Sequence, residues 1–167
     1  MRLSRFALLT ALAAGMLPAA APAQVTRINR NPNAIILEGA KVAAGTEMIF
    51  LSGQLASPLD PKKPAAEAKT VEDFGDTKTQ TVSTLNKIKD VLATQGYTMA
   101  DVIKLTLFVA ADPKTGKMDF AGANAAYKEF FGTAENPNLV ARSTFQVAAL
   151  VGPQFLIEIE AIAAKKK

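Results

Sequence analysis

Two strand-like stretches near the end of the chain carry the residues that could do chemistry. Glu158 and Glu160 lie inside the otherwise apolar run 155–163, and Arg142 lies in the preceding run 140–150. Charged side chains inside a strand core are costly unless they are paired or used. The pattern therefore indicates either a structural ion pair or a site in which Arg142 holds a small carboxylate, because a guanidinium can donate to both carboxylate oxygens.

The composition removes several classes of reaction. The 167 residues include no cysteine and no histidine. This excludes disulfides, a thiolate nucleophile, a Ser-His-Asp triad, and zinc bound by thiolate or imidazole. The stretch from Gly39 to Gly45 lacks the spacing of a phosphate-binding loop, and the net charge of +4 comes without a basic stripe. We therefore expect neither a metal nor a nucleic-acid partner.

The first 23 residues predict a cleaved secretory signal peptide. Arg2 and Arg5 precede the apolar stretch 6–17, and Ala21-Pro22-Ala23 supplies small residues at the usual cleavage spacing. The apolar stretch is short and rich in alanine for a transmembrane anchor. We expect a single domain, residues 24–167, that is periplasmic or secreted and has no membrane partner after cleavage.

The hydrophobic pattern of that domain predicts an α+β fold with a mixed six-stranded sheet and two helices packed on one face. Turn and cap residues separate the expected elements. In chain order these are strands at 35–37, 41–43 and 47–51, a loop at 55–75, a helix from Asp76 to Gly96, a strand at 102–110, a helix at 119–131, and strands at 140–150 and 154–163.

The last two strands are expected to form a hairpin around Val151-Gly152-Pro153. Alternation then places Ile157 and Ile159 under the helices, and Glu158 and Glu160 on the opposite face. That second face is too apolar for water and too charged for a dry core, which favours a subunit interface. A simple hairpin register puts Arg142 opposite Ile162, so contact between Arg142 and Glu158 would depend on a neighbouring subunit.

Five segments together resemble the Rid family of reactive intermediate deaminases (RidA/YjgF). They are Phe50-Leu51-Ser52-Gly53-Gln54, the run 101–109, Asn124-Ala125-Ala126-Tyr127-Lys128-Glu129-Phe130-Phe131, Ala141-Arg142-Ser143-Thr144 and Ile157-Glu158-Ile159-Glu160-Ala161-Ile162-Ala163. The resemblance implies a RidA/chorismate-mutase-like fold. It also implies a homotrimer whose sheets line a central barrel, with clefts between subunits.

The resemblance also implies residue roles. Arg142 would hold a substrate carboxylate, and Glu158 would orient and activate water, with Glu160 as the competing candidate. The resemblance further implies that four residues bind the substrate, namely Ser52, Gly53, Asn124 and Thr144. No cofactor is expected, because an imine is already electrophilic.

One segment departs from the family pattern. Many family members carry a Gly-Pro-Tyr-Ser-like segment before the first core strand, whereas this chain has residues 33–40 there, and neither Tyr97 nor Tyr127 matches that tyrosine.

The sequence leaves three hypotheses about function. The first is hydrolytic deamination of small 2-imino or 2-enamino acids to 2-keto acids and ammonia. The second is a non-catalytic module that binds small carboxylates in the same cleft, and the third is a protein-binding role of the trimer surface.

Overall fold

A computed structural model describes residues 24–64 and 66–165 of the chain. The predicted signal peptide, residues 1–23, lies outside the described residues. The elements, in chain order, are β1 (Val25–Ile28), β2 (Gly39–Val42), β3 (Glu47–Leu55), α1 (Val71–Phe74), α2 (Thr77–Thr94), a short 3₁₀ helix (Met99–Asp101), β4 (Val102–Val109), α3 (Phe120–Tyr127), β5 (Ala141–Gln146) and β6 (Ile157–Lys165). No helix within these described ranges is long and apolar enough to cross a membrane.

The α+β class and the mixed sheet are confirmed. The six strands divide into a four-stranded sheet with the order β3-β6-β4-β5 and a two-stranded hairpin of β1 and β2. Within the larger sheet β6 is antiparallel to both of its neighbours, and β4 is parallel to β5. The hairpin meets the sheet at an isolated parallel bridge between Leu37 and Ala141. The expected strand at 35–37 is reduced to that bridge, and β1 is an element that the sequence pattern did not predict.

The expected hairpin between the last two strands is wrong. β4 lies between β5 and β6, so Arg142 pairs with Leu105, and Ile162 pairs with Lys104. Parallel strands cannot be joined by a tight turn and need a crossover connection. Here α3 and the segment after it supply the crossover from β4 to β5. The chain then passes back through the loop 147–156 to enter β6 on the other side of β4.

The helices form where local signals predict them. Asp76 caps α2, because its side chain accepts a hydrogen bond from Thr79 N at 2.8 Å. The apolar stripe of α2 packs on the sheet with Leu85, Ile88 and Leu92 fully buried. These side chains cover the sheet face that carries Ile157, Ile159, Ala161 and Ala163, as the alternation of β6 predicts.

The opposite face of the sheet, which we call the open face, is not covered by helices. Met48 and Phe50 of β3 and Phe145 of β5 are exposed on it, with 69% of the Phe50 surface accessible. Phe145 stacks on Phe108 of β4 at a ring separation of 6.5 Å. An apolar, partly charged sheet face of this kind is typical of a surface that another chain covers.

Candidate active site

Arg142 lies on the helix-covered face of the sheet. It pairs with Leu105 of β4, and Leu105 pairs with Ala161 of β6. Directly paired residues share one face of a sheet, and both Leu105 and Ala161 are buried in the core beneath the helices. The Arg142 side chain, at the edge of this layer, therefore meets α3 rather than the open face.

Three side chains of α3 contact the guanidinium of Arg142. Asp119 caps this helix by accepting a hydrogen bond from Gly122 N at 2.8 Å. Residues spaced three or four apart then share one side of the helix. Arg142 Nη2 donates to Asn124 Oδ1 at 2.5 Å. The Arg142 Cζ atom lies 4.6 Å from the ring centroid of Tyr127 and 5.8 Å from that of Phe120, both within the range of a cation–π interaction.

The guanidinium of Arg142 is desolvated and only partly paired. Its Nη1 atom is buried and has no hydrogen-bond partner. Among the residues that the structure describes, no carboxylate lies within 4.0 Å of the Arg142 nitrogens, so an ion pair with Glu158 or Glu160 does not form within one chain. Burial lowers the pKa of Arg142 from its ordinary value, and the nearby Tyr127 opposes that shift. A buried donor without a partner costs about 1–3 kcal/mol, more when charged, which a bound carboxylate would offset.

Glu158 lies on the open face. It pairs with Phe108 of β4 and with Leu55 of β3. Its carboxylate fills the space beside Gly53, where an added Cβ would overlap Glu158 Oε1 and approach Cδ to 2.7 Å. The absence of a side chain at Gly53 therefore lets the Glu158 carboxylate lie against the backbone of β3.

A β-bulge brings Ser52 and Gly53 to this position. Leu51 pairs with Ala161 and Gln54 pairs with Ile159, so Ser52 and Gly53 together oppose a single residue of β6. Such bulges redirect the local backbone and often occur beside active sites. The bulge explains why the glycine and the glutamate meet even though they lie on different strands.

The open face also contains a pocket beside the bulge, with both apolar and polar side chains in its lining. Its volume is about 270 Å³, and Ser52, Thr106, Glu160 and Lys104 supply its polar lining. Lys104 Nζ donates to Ser143 Oγ at 2.7 Å. Glu160 is exposed and borders this pocket, whereas Glu158 lies beside Gly53. The two glutamates therefore share a face but have different surroundings.

The structure thus gathers the predicted site residues into two groups. Arg142 and Asn124 are in contact, and Thr144 shares their face because it pairs with the buried Leu107. Ser52, Gly53 and Glu158 form the second group, on the opposite face of the sheet. No residue of the first group is placed next to one of the second within a single chain.

The aromatic side chains of the helix expected at 119–131, Phe120 and Tyr127 among them, are expected from the sequence to pack in the core. Tyr127 is buried as expected, but its ring also stacks against Arg142, and Phe120 is 44% exposed beside the same guanidinium. The helical spacing of 120, 124 and 127 could have indicated that these residues form one surface. Which strand that surface would meet depends on the crossover, which the local pattern does not encode.

Within residues 24–64 and 66–165 there is no group of three or more acidic side chains that could hold a metal ion. The groups gathered at the Arg142 position are its guanidinium, an amide and two aromatic rings, and the guanidinium suits an anionic organic ligand.

Comparisons with known proteins define the class. Residues 39–165 match the family model described as Endoribonuclease L-PSP. A RutC family protein of Pyrococcus horikoshii is 38% identical over 118 residues, covering 71% of this chain and 79% of the relative. The 2-iminobutanoate/2-iminopropanoate deaminase of Escherichia coli K12 is 36% identical over 119 residues, with coverage of 71% and 80%.

Solved structures agree with the sequence relatives. A protein of unknown function of the Rid family from Yersinia pestis superposes with a TM-score of 0.62 at 26% identity, covering 86% of this chain and all of that one. The YjgF gene product of E. coli superposes with a TM-score of 0.53 at 32% identity, with coverage of 84% and 94%. The chain belongs to the Rid/YjgF family, as its sequence motifs predict.

Proposed function

We propose that this protein is a hydrolytic deaminase of small 2-imino and 2-enamino acids. The observation that carries the proposal is the state of Arg142, a desolvated guanidinium held by Asn124 whose Nη1 atom has no partner. A guanidinium in this state favours a carboxylate ligand. Relatives at about the same identity include 2-iminobutanoate/2-iminopropanoate deaminases.

The proposed reaction needs one water molecule and no cofactor. Arg142 holds the carboxylate of the substrate, which fixes the neighbouring imine carbon. Glu158 accepts a proton from water, and the oxygen adds to that carbon to form a carbinolamine. The same carboxyl group gives that proton to the imine nitrogen. The hydroxyl proton of the carbinolamine then moves to the nitrogen as the C–N bond breaks, so that ammonia leaves and a 2-keto acid remains.

We further propose that the active site is completed between copies of the chain in a homotrimer. Arg142 and Glu158 lie on opposite faces of one sheet, so a site that uses both needs residues from two chains. The exposed Met48, Phe50 and Phe145 on the open face support burial of that face against another copy. The predicted export of the protein stays part of the proposal.

The direct test is ammonia release from 2-iminopropanoate generated in the assay by an amino-acid oxidase. We expect release above the spontaneous rate with the wild-type protein and loss of most of the excess with Arg142→Ala. Arg30→Ala is the matched control, because Arg30 is an exposed surface arginine with 84% of its side chain accessible. Equal release by wild type and a folded Arg142→Ala variant would contradict the proposal.

The second candidate is a carboxylate-binding module without chemistry. The segment 33–40, which lacks the tyrosine seen in many family members, favours it. Glu158→Gln separates the two functions, because it retains the size of the side chain but cannot accept a proton. A deaminase should lose turnover while still binding pyruvate. A binding module should show no turnover above background in either form.

Incubation of the protein with single-stranded RNA tests the endoribonuclease activity named in the family description, and we expect no cleavage.

A further inference from the structure

Tyr127 forms the surface on which the Arg142 guanidinium lies. The Arg142 Cζ atom is 4.6 Å from the ring centroid, so the cation sits over the ring. Tyr127 is almost fully buried, with 1% of its surface accessible. A buried ring gives a cation–π contact more strength than an exposed ring does, because water competes less for the cation.

The Tyr127 ring is itself fixed from several sides. It stacks on Phe131 with a centroid separation of 5.0 Å and an interplanar angle of 23°. Its hydroxyl oxygen lies 3.4 Å from Val140 N, which donates a weak hydrogen bond to it. A ring held in this way cannot change its orientation without disturbing the core, so it offers Arg142 a rigid plane.

Arg142 is therefore restrained in two independent directions. Asn124 Oδ1 accepts from Nη2 and fixes the position of one edge of the guanidinium. The ring of Tyr127 fixes the plane, and the more exposed ring of Phe120 flanks it at 5.8 Å. A long side chain restrained before binding loses less rotamer entropy when it takes a ligand.

We propose that Tyr127 is a positioning residue for the carboxylate anchor, acting through Arg142 rather than on the substrate itself. This inference rests on the proposed function, because it assigns to Arg142 the role of binding the substrate carboxylate. Tyr127 sets the plane in which the free Nη1 donor meets that carboxylate. Its contribution is thus to affinity for the carboxylate, and the addition of water to the imine carbon does not depend on it.

The test must separate this role from ordinary core packing. Tyr127→Leu removes the ring but keeps an apolar side chain in the core, whereas Tyr127→Phe keeps the ring and removes only the hydroxyl. Phe131→Leu is the matched control, because Phe131 is equally buried and stacks on Tyr127 but is not among the aromatic rings in cation–π contact with Arg142. The two leucine variants should lose similar amounts of stability in thermal unfolding.

We expect Tyr127→Leu to raise KM for 2-iminopropanoate by roughly three- to thirty-fold, the range of a cation–π contact, with little change in kcat. The Kd for pyruvate, the keto-acid product, should rise by a similar factor in calorimetric titration. Tyr127→Phe should restore both values to within about two-fold of wild type. Phe131→Leu, which leaves the Tyr127 ring in place over Arg142, should raise both values much less than Tyr127→Leu does.

Each other outcome has a definite meaning. If Tyr127→Leu and Phe131→Leu weaken pyruvate binding equally, Tyr127 is only a core residue and the inference is overturned. If Arg142→Ala abolishes pyruvate binding but Tyr127→Leu does not change it, the inference fails and the role of Arg142 stands. If Arg142→Ala binds pyruvate as tightly as the wild type does, Arg142 does not bind the carboxylate and the proposed function itself is contradicted.

Phe120→Leu keeps the inference testable if Tyr127→Leu does not fold. Phe120 is 44% exposed, so its replacement should be tolerated by the core. Its ring lies farther from Arg142, and we expect pyruvate binding to weaken by only about two- to five-fold. No change in this variant, in a protein that binds pyruvate through Arg142, would count against aromatic positioning of the guanidinium.

Discussion

Arg142 and Glu158 occupy opposite faces of the same four-stranded sheet. Arg142 pairs with Leu105 and meets α3, whereas Glu158 pairs with Phe108 and lies against Gly53 on the open face. The two side chains cannot act on one substrate within a single chain. An active site that uses both must take Arg142 from one chain and Glu158 from its neighbour.

This arrangement predicts complementation between two inactive variants. Arg142→Ala and Glu158→Gln should each be inactive alone. When the two are co-refolded in equal amounts, roughly one quarter of the sites in randomly mixed trimers combine an intact Arg142 with an intact Glu158. We expect ammonia release to recover to about that fraction of the wild-type rate. Recovery should depend on co-refolding, and simple mixing of preformed trimers serves as the control. If trimers shown to contain both variants release no ammonia above background, then either both residues act within one chain or at least one of them lies outside the active site.

Replacement of Arg142 by lysine should be nearly as harmful as replacement by alanine. Lysine keeps the positive charge but loses the planar fork, the geometry of the bond to Asn124 and the flat contact with Tyr127. A hydrogen bond to a charged group is worth about 1.5–3 kcal/mol, so KM for 2-iminopropanoate should rise by at least about ten-fold. Steady-state kinetics of Arg142→Lys, with Arg30→Lys as the surface control, would check this. An unchanged KM would show that charge alone suffices.

Gly53→Ala should lower kcat by displacing Glu158. A Cβ at this position overlaps the Glu158 carboxylate, which must then rotate away from the bulge. Gly39→Ala is the matched control, because the nearest atom to an added Cβ there is Ile28 Cδ1 at 3.8 Å, an ordinary contact. We expect turnover to fall at least about ten-fold with pyruvate binding retained, since general acid–base catalysis typically contributes more than that. Full activity in Gly53→Ala would argue that the water is activated elsewhere, with Glu160 the next residue to replace.

Arg27 links the first hairpin to the rest of the domain. Arg27 of β1 donates to three backbone oxygens, those of Ala100, Val102 and Leu139, at 2.7–3.0 Å. Arg27→Ala removes all three hydrogen bonds, and we expect the free energy of unfolding to fall by about 1.5–3 kcal/mol. Arg30→Ala, which removes only an exposed ion pair with Glu38, should change it by less than about 1 kcal/mol. Urea denaturation of both variants measures the difference, and equal losses would contradict the role of Arg27.

The parts of the fold that follow from local patterns could be predicted from the sequence. The cap at Asp76, the apolar stripe of α2 and the alternation of β6 each depend on residues close in the chain, and the structure confirms them. The strand order could not be read in the same way. Whether β5 pairs with β4 or with β6 is decided by the packing of the crossover, so the natural guess of a hairpin around Gly152 is wrong.

The candidate site shows the same division. The charged residues Arg142 and Glu158 indicated a site that binds a carboxylate, because a charge inside an apolar strand is costly unless it is paired or binds a ligand. Their partners depend on contacts between distant segments. Asn124 meets Arg142 only because the crossover returns β5 beneath α3, and Gly53 meets Glu158 only through the bulge in β3.

The long segment between β3 and α2 should loosen at acidic pH. Lys63 Nζ donates to Asp73 Oδ1 at 2.5 Å, and Thr70 and Lys69 donate backbone hydrogen bonds to the same carboxylate. These contacts, the bond from Lys63 first, lower the pKa of Asp73 to about 2 from an ordinary value of 3.8. A lowered pKa means that the stabilisation is fully present above pH 3.8 and is lost as the pH falls through about 2.

Asp73→Asn should therefore resemble the acid form of the wild type. We expect the variant to have a lower Tm than the wild type at pH 6, and the difference to shrink as the pH is lowered from 4 toward 2. Thermal unfolding of both proteins across this range measures it, and amide exchange at 55–75 localises it. Because Lys63 is the largest contributor, Lys63→Met should remove much of the same pH dependence. A gap between wild type and Asp73→Asn that stayed constant down to pH 2 would mean that the carboxylate charge does not hold this segment.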